Sequence, residues 1–252
     1  MLKAHTEKPV QSNLGGFWVC CSLRQPRQTR QMRNRLPWPT WIERWERAIA
    51  AAQRHGATNC RLKYDTAAST DEIEELERSL PAPIPDEFRR TLLQFSRKID
   101  FFWFLPSNEN PPGQLAEIFC GRCQWDLDLL LQINAQVAWL SQNAFVKDTP
   151  DERLWRDKFA FHPIACGDFI AIDTSSTSGQ AVVYLNHELG VSHRHWLGAS
   201  FFDFMNRWTT LGCPDDDIWP RFVPHREHYI DLDSDNARNW LRWFGLPTVA
   251  EA

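Results

Sequence analysis

The stretch "CGDFIAIDTSSTSGQAVVYLNHE", residues 166–188, limits the possible folds more than any other part of the chain. It holds two apolar runs, 169–173 and 181–185, separated by the Ser- and Gly-rich connector "TSSTSGQ". Each run is too short for a stable helix, and Ile and Val favour extended backbone, so the pair predicts a hairpin of two strands. Neither run alternates apolar with polar, so both faces of each strand must be covered. These are inner strands of a sheet, and helices elsewhere in the chain have to supply the cover.

The flanking sequence offers such helices. "PWPTWIERWERAIAAAQRHG" predicts a helix starting after Pro39 and Thr40, with Trp41, Trp45 and Ile49 on one stripe and Gly56 at its end. In "STDEIEELERSL", Ser69 or Thr70 can cap, Asp71 and Glu72 suit the positive helix end, and Ile73, Leu76 and Leu80 form the seam. Pro81, Pro83 and Pro85 break that helix, and Pro85 suits the first position of the next, whose face carries Phe88, Leu92 and Phe95.

Beyond this elbow, "IDFFWFL" reads as a buried strand stopped by Pro106, and "QLAEIFCG" as another. "WDLDLLLQINAQVAWLSQ" reads as a helix with Leu129, Ile133, Gln136 and Leu140 on one side, widened by Leu130, Val137 and Trp139. After a polar loop at 147–156 and the hairpin, "SFFDFMNRWTTLG" predicts a helix capped by Ser200 and stopped by Gly212. The last helix, about 234–244, is capped by Asp233 or Ser234 and packs through Trp240, Trp243 and Phe244. Helices, short strands and helices again predict an α+β fold: a mainly antiparallel sheet of short strands flanked by helices, with no βαβ rhythm and no internal repeat.

Residues 1–35 stand apart. Lys3 and Lys8 precede the short apolar run 15–23, but Glu7 and the bulky Phe17, Trp18 and Val19 before Cys20 do not make a signal peptide. The Arg- and Gln-rich segment 24–35 is too polar to bury and is expected to be a disordered basic tail, with Met32 as a candidate true start. The domain is therefore expected at 36–252. The first 31 residues carry a net +4, so the formal −4 of the whole chain leaves −8 on the rest. An acidic body argues against nonspecific nucleic-acid binding, which needs Lys and Arg at phosphates; it suits a basic partner, or serves solubility alone. No apolar run reaches the roughly 20 residues needed to span a bilayer. Seven cysteines, at 20, 21, 60, 120, 123, 166 and 213, form no evident disulfide framework and point to a reducing cytoplasm.

The chemical motifs are sparse. Cys120 and Cys123 have redox or half-zinc spacing, but no second pair follows, and two buried thiols are the simpler reading. In "NHELGVSHRHW", His187, Glu188, His193 and His195 are the densest ionisable group, and an extended 193–196 would project His193 and His195 from one face. The HExxH order is missing, and there is no GxSxG elbow, Walker loop or GxGxxG loop. Asp168 and Asp173 sit where Asp commonly binds backbone amides, at a turn and a strand end. Asp215, Asp216 and Asp217 form an acidic loop able to meet a basic partner. The 13 Trp fall mostly on the apolar helix stripes, so core packing is their first role.

The ordered series resembles the SUKH superfamily, which includes a fungal cell wall assembly regulator and many bacterial immunity proteins. The carrying pieces are a helix ending in Leu80-Pro81, a "LLQF" helix, "FHPIACGDFIAID", "VVYLNHE" and "LGASFFDFMNRW", so that the similarity spans roughly 38–212. The resemblance implies a single non-catalytic, cytoplasmic domain without cofactor or metal. It binds and neutralises a protein toxin, commonly a nuclease or other nucleic-acid-modifying domain. Complementary charge suits an acidic body to a basic cleft. The candidate partner contacts are Asp168, Asp173, Glu188, Asp215, Asp216 and Asp217. Two alternatives remain: a regulatory scaffold of the same family, or a metal-dependent enzyme using His187, Glu188, His193 and His195.

Overall fold

The computed structural model describes residues 36–252 except 146, 165, 176–179, 191–192, 215–217, 225–228 and 249–252. The basic tail, the candidate start at Met32 and the acidic loop 215–217 therefore lie outside the described residues. Met1–Leu36 and Pro37–Ala252 form separate units, and every described element belongs to the second.

Among the described residues, two antiparallel sheets and eight α-helices make an α+β domain. The first sheet joins β1 (Asn59–Tyr64), β2 (Lys98–Phe104) and β3 (Cys120–Asp126) in that order. The second joins β4 (Lys158–Pro163), β5 (Phe169–Asp173), β6 (Val182–Leu185) and β7 (Trp196–Gly198), also in chain order. The expected hairpin is β5 and β6, paired from Phe169↔Leu185 to Ile172↔Val182. Every residue of both strands is buried, as an inner strand requires.

The helices are α1 (Trp38–Arg54), α2 (Thr70–Ser79), α3 (Asp86–Gln94), α4 (Leu130–Trp139), α5 (Pro150–Arg153), α6 (Phe201–Thr210), α7 (Trp219–Phe222) and α8 (Asp235–Phe244). Of the alternative caps, Ser69 starts α2 in a full capping box with Glu72, and Ser234 starts α8. Four expectations need correction. Pro85 is the cap of α3 rather than its first helical residue, and α1 begins at Trp38, with Pro39 tolerated in its first turn. "QLAEIFCG" is not a strand: residues 113–115 form a 3₁₀ turn, and pairing starts only at Cys120. Trp125 and Asp126, read as a helix start, complete β3.

Trp is used in this core for its N–H as well as its bulk. The segment following α6 must satisfy the carbonyls that a helix end leaves open. Trp240 donates to the carbonyl of Leu211 at 2.8 Å, Trp103 to that of Gly212 at 2.8 Å and Trp208 to that of Pro214 at 3.1 Å. Trp45 points its N–H at the Cys213 sulfur, 3.3 Å away. Indoles from α1, β2, α6 and α8 thus converge on four consecutive residues and tie both ends of the domain to that one turn.

The two sheets meet where β4 bulges between Ala160 and His162. Asn134 of α4 is buried there and acts as a strand partner, donating to the Ala160 carbonyl and accepting from its N–H, both at 2.9 Å. The His162 ring lies inside the joint, with Nδ1 2.9 Å from the Gln124 carbonyl oxygen and 3.2 Å from its nitrogen. Burial, with a smaller contribution from Arg122, pushes the His162 pKa down to about 4, against the pull of the Gln124 carbonyl. The unfolded chain, with an ordinary histidine near pH 6.5, then binds the proton first. Stability from this site is complete above that pH and drains as pH falls toward 4. We expect a loss of about 2 kcal/mol between pH 7 and pH 5, where Asp168 and Asp173 stay ionised. Urea midpoints at the two pH values check it, and His162→Gln should flatten the difference.

Candidate partner-binding surface

Asp168 is the centre of the polar corner just before β5. Gly167 adopts φ +97°, which delivers the carboxylate inward, where only 1% of the residue remains exposed. Its Oδ2 accepts from the Tyr184 hydroxyl at 2.6 Å and Asn186 Nδ2 at 2.9 Å. Oδ1 accepts from the His187 N–H at 2.8 Å and from His187 Nδ1 at 2.6 Å. Burial alone would raise this carboxyl, but the hydrogen bonds from Tyr184, His187 and Cys166 outweigh it and hold the pKa below the usual range.

The network continues into the histidine segment. Asn186 donates its N–H to His193 Nδ1 at 3.1 Å, and His193 Nε2 donates to the Asp151 carbonyl at 2.9 Å. Both nitrogens of His193 are therefore engaged with backbone. The expected extended 193–196 does not form, because Arg194 takes φ +70° and His193 lies in a turn. His195 is buried beside it, and the two rings do not project from one strand face. Among the described residues no three His, Cys, Asp or Glu side chains gather as a metal-ligand set. The metal-dependent reading loses its geometry here.

Asp173 is internal too. Its Oδ1 accepts from Lys158 at 3.0 Å on the paired strand and from the N–H and hydroxyl of Ser175 at 3.0 and 2.7 Å. Burial raises its carboxyl, yet the Ser175 and Lys158 bonds bring it below the usual range. Of the described candidate contacts, only Glu188 stands at the surface, its carboxylate 3.9 Å from His187 Nε2. Asp168 and Asp173 are buried and bonded within the fold. Cys120 and Cys123 are both buried on β3, three residues apart and so on opposite faces of the strand.

Among the described residues, two of the surface grooves have room for a partner's side chains. The first, lined by Arg61, Lys98, Asp100, Asp126, Ile133 and Phe161, pairs its charges internally: Arg61 with Asp100 at 2.6 Å and Lys98 with Asp126 at 2.7 Å. Matched ions present little field to a partner. The second is an open groove of about 520 Å³ between α2 and the start of α4, with Leu76, Leu127 and Leu131 beside Asp71, Glu72, Glu75 and Asp128. Four carboxylates there face the single guanidinium of Arg97, which reaches Glu72 at 2.5 Å and Asp128 at 2.8 Å. The Ser69 N–H and hydroxyl, and then Arg97, hold the Glu72 carboxyl below its usual range. An apolar floor inside an acidic wall is the chemistry that receives a basic protein surface.

Sequence reading saw Asp71 and Glu72 only as partners of the helix dipole. The signal that was present is the count: residues 70–79 hold five acids and one Arg, far more than a dipole needs.

The sequence profile of the SMI1 / KNR4 family (SUKH-1) matches residues 67–207, more than half of the chain. The chain belongs to this family. The match begins just before the Ser69 cap of α2 and runs to the last turn of α6. It contains both sheets except β1, and both walls of the acidic groove. Comparison with curated proteins returns no match. Among the described residues no helix is long and apolar enough to cross a membrane.

Proposed function

We propose that this SUKH-1 protein is a non-catalytic binder that neutralises a protein toxin by occupying it, and that the toxin presents a basic surface. The acidic groove between α2 and α4 carries the reading. A nuclease-type toxin must hold phosphates and therefore concentrates Lys and Arg at its active cleft. A wall of carboxylates over a leucine floor matches that cleft in charge and offers apolar contact at the centre. The internal use of Asp168, Asp173 and His193 supports a binder, because those three side chains are spent on the fold.

The test is purification of the tagged chain from its own cells, with identification of what accompanies it. A basic domain should co-purify one-to-one. Asp71→Lys combined with Glu75→Lys should weaken it by about 100-fold or more, since like charges placed across an interface cost several kcal/mol. Both positions are exposed, so the fold should melt within a few degrees of the parent. Unchanged affinity in the double variant would remove the groove from the account, and the absence of any accompanying protein would remove the function.

A further inference from the structure

The acidic groove between α2 and the start of α4 is a trough with a direction. Asp71, Glu72, Glu75, Leu76 and Ser79 all line it. Their spacing, in alternate steps of one and three, is that of one helix face, and it runs for about 12 Å along the axis. Across the trough stand Leu127, Asp128 and Leu131, from the 3₁₀ turn Leu127–Leu129 and the first turn of α4. Ile73 is the one fully buried residue of α2, and Glu77 ties the helix to Arg89 of α3 at 3.0 Å, so the groove face is left for something else.

Charge and shape together select the occupant. Four carboxylates meet Arg97 inside the trough and Arg78 beside Glu75 at its edge, which leaves two negative charges over. The entering element therefore carries Lys or Arg. Along the middle, Leu76, Leu127 and Leu131 call for apolar side chains, Leu131 being 40% exposed. A small polycation would meet the charges and leave these leucines in water. The backbone decides the form. None of the described lining residues belongs to a strand, so an extended segment would find no edge to pair with and would lay open N–H and C=O groups on leucine. A helix closes those bonds within itself. Its side chains at i, i+3 or i+4 and i+7 cover about 10.5 Å, close to the length that α2 walls.

We infer that the element received by this groove is a basic amphipathic helix, with leucine-sized side chains on the floor and Lys or Arg along its flanks. The inference rests on the groove being the partner site, and it adds what the partner presents there: a helix, not a strand or an irregular loop.

The probe is a synthetic peptide of about 14 residues, roughly four helical turns, with Leu on one helical face and Arg on its flanks. Free in water such a short peptide is mostly unfolded, so binding can be read from its gain of far-UV helix signal as the full chain is added. A scrambled peptide of the same composition and one with a central Pro should each bind about tenfold more weakly or worse. Leu131→Ser, and Asp71→Lys combined with Glu75→Lys, should each weaken the amphipathic peptide by a similar factor. Absence of binding overturns the inference. So does equal binding of the scrambled peptide, binding without gain of helix, or affinity unchanged in both variants. The two readings fail separately: the peptide result stands if no toxin accompanies the chain, and a co-purified toxin weakened by the double variant stands if the peptide fails.

Discussion

Asp168→Ala is expected to lower the unfolding free energy by about 3–5 kcal/mol, the cost of removing one partner from a buried, charge-assisted cluster. The carboxylate accepts from the Tyr184 hydroxyl, the Asn186 side-chain amide and the His187 N–H, and it is buried. With the oxygens gone, the buried Tyr184 hydroxyl and Asn186 amide lose that acceptor. Because Asn186 in turn positions His193 against Asp151, the damage should spread to the contact of α5 with His193. Typical domains hold only about 5–15 kcal/mol in all, so the variant should unfold at much lower urea. A loss under about 1 kcal/mol would show that the corner is not a stabilising hub and would reopen it as a functional site.

Gly121→Ala should cost about 3 kcal/mol or more, the upper range for forcing atoms into a packed core. On β3, Gly121 faces Trp103 of β2 directly, and a Cβ there would stand 2.3 Å from the indole ring. The ring has nowhere to go. Its N–H is fixed to the Gly212 carbonyl, and it packs against Trp240 and Phe244 with centroids 6.2 and 4.8 Å away. A double-mutant cycle makes the mechanism checkable: in a Trp103→Ala background the same Gly121→Ala change should cost almost nothing. Equal costs in the two backgrounds would mean that the glycine is needed for its backbone and not for the space.

How much of this was legible in the sequence depended on the range of the forces involved. The hairpin β5–β6, the caps at Ser69, Ser200 and Ser234 and the stripe through Phe88 and Leu92 follow from local patterns, and the structure contains them. Strand β1 was missed, since only Cys60 and Leu62 of Asn59–Tyr64 turn toward the core and its charged residues read as loop. Helix α4 was misread for a tertiary reason. Leu129 and Trp139 continue an apolar stripe on paper, yet α4 meets β4 through Leu130, Ile133 and Val137, and leaves Leu129 and Trp139 in water. Burial also decided the candidate site. Nothing in "CGDF" or "AIDT" tells that both carboxylates turn inward, because Tyr184, His187 and Lys158 reach them only once the strands pair. The groove needs two segments some fifty residues apart, and no local pattern joins Glu75 to Asp128.

The central claim is neutralisation by occupation, and its most direct measurement is a titration. The activity of the basic domain that co-purifies with the chain is followed as the chain is added. The account expects activity to fall in a straight line to nothing at one equivalent, with no such endpoint for the Asp71→Lys, Glu75→Lys variant. Activity that persists at saturating excess, or that disappears at a small fraction of an equivalent, would contradict it.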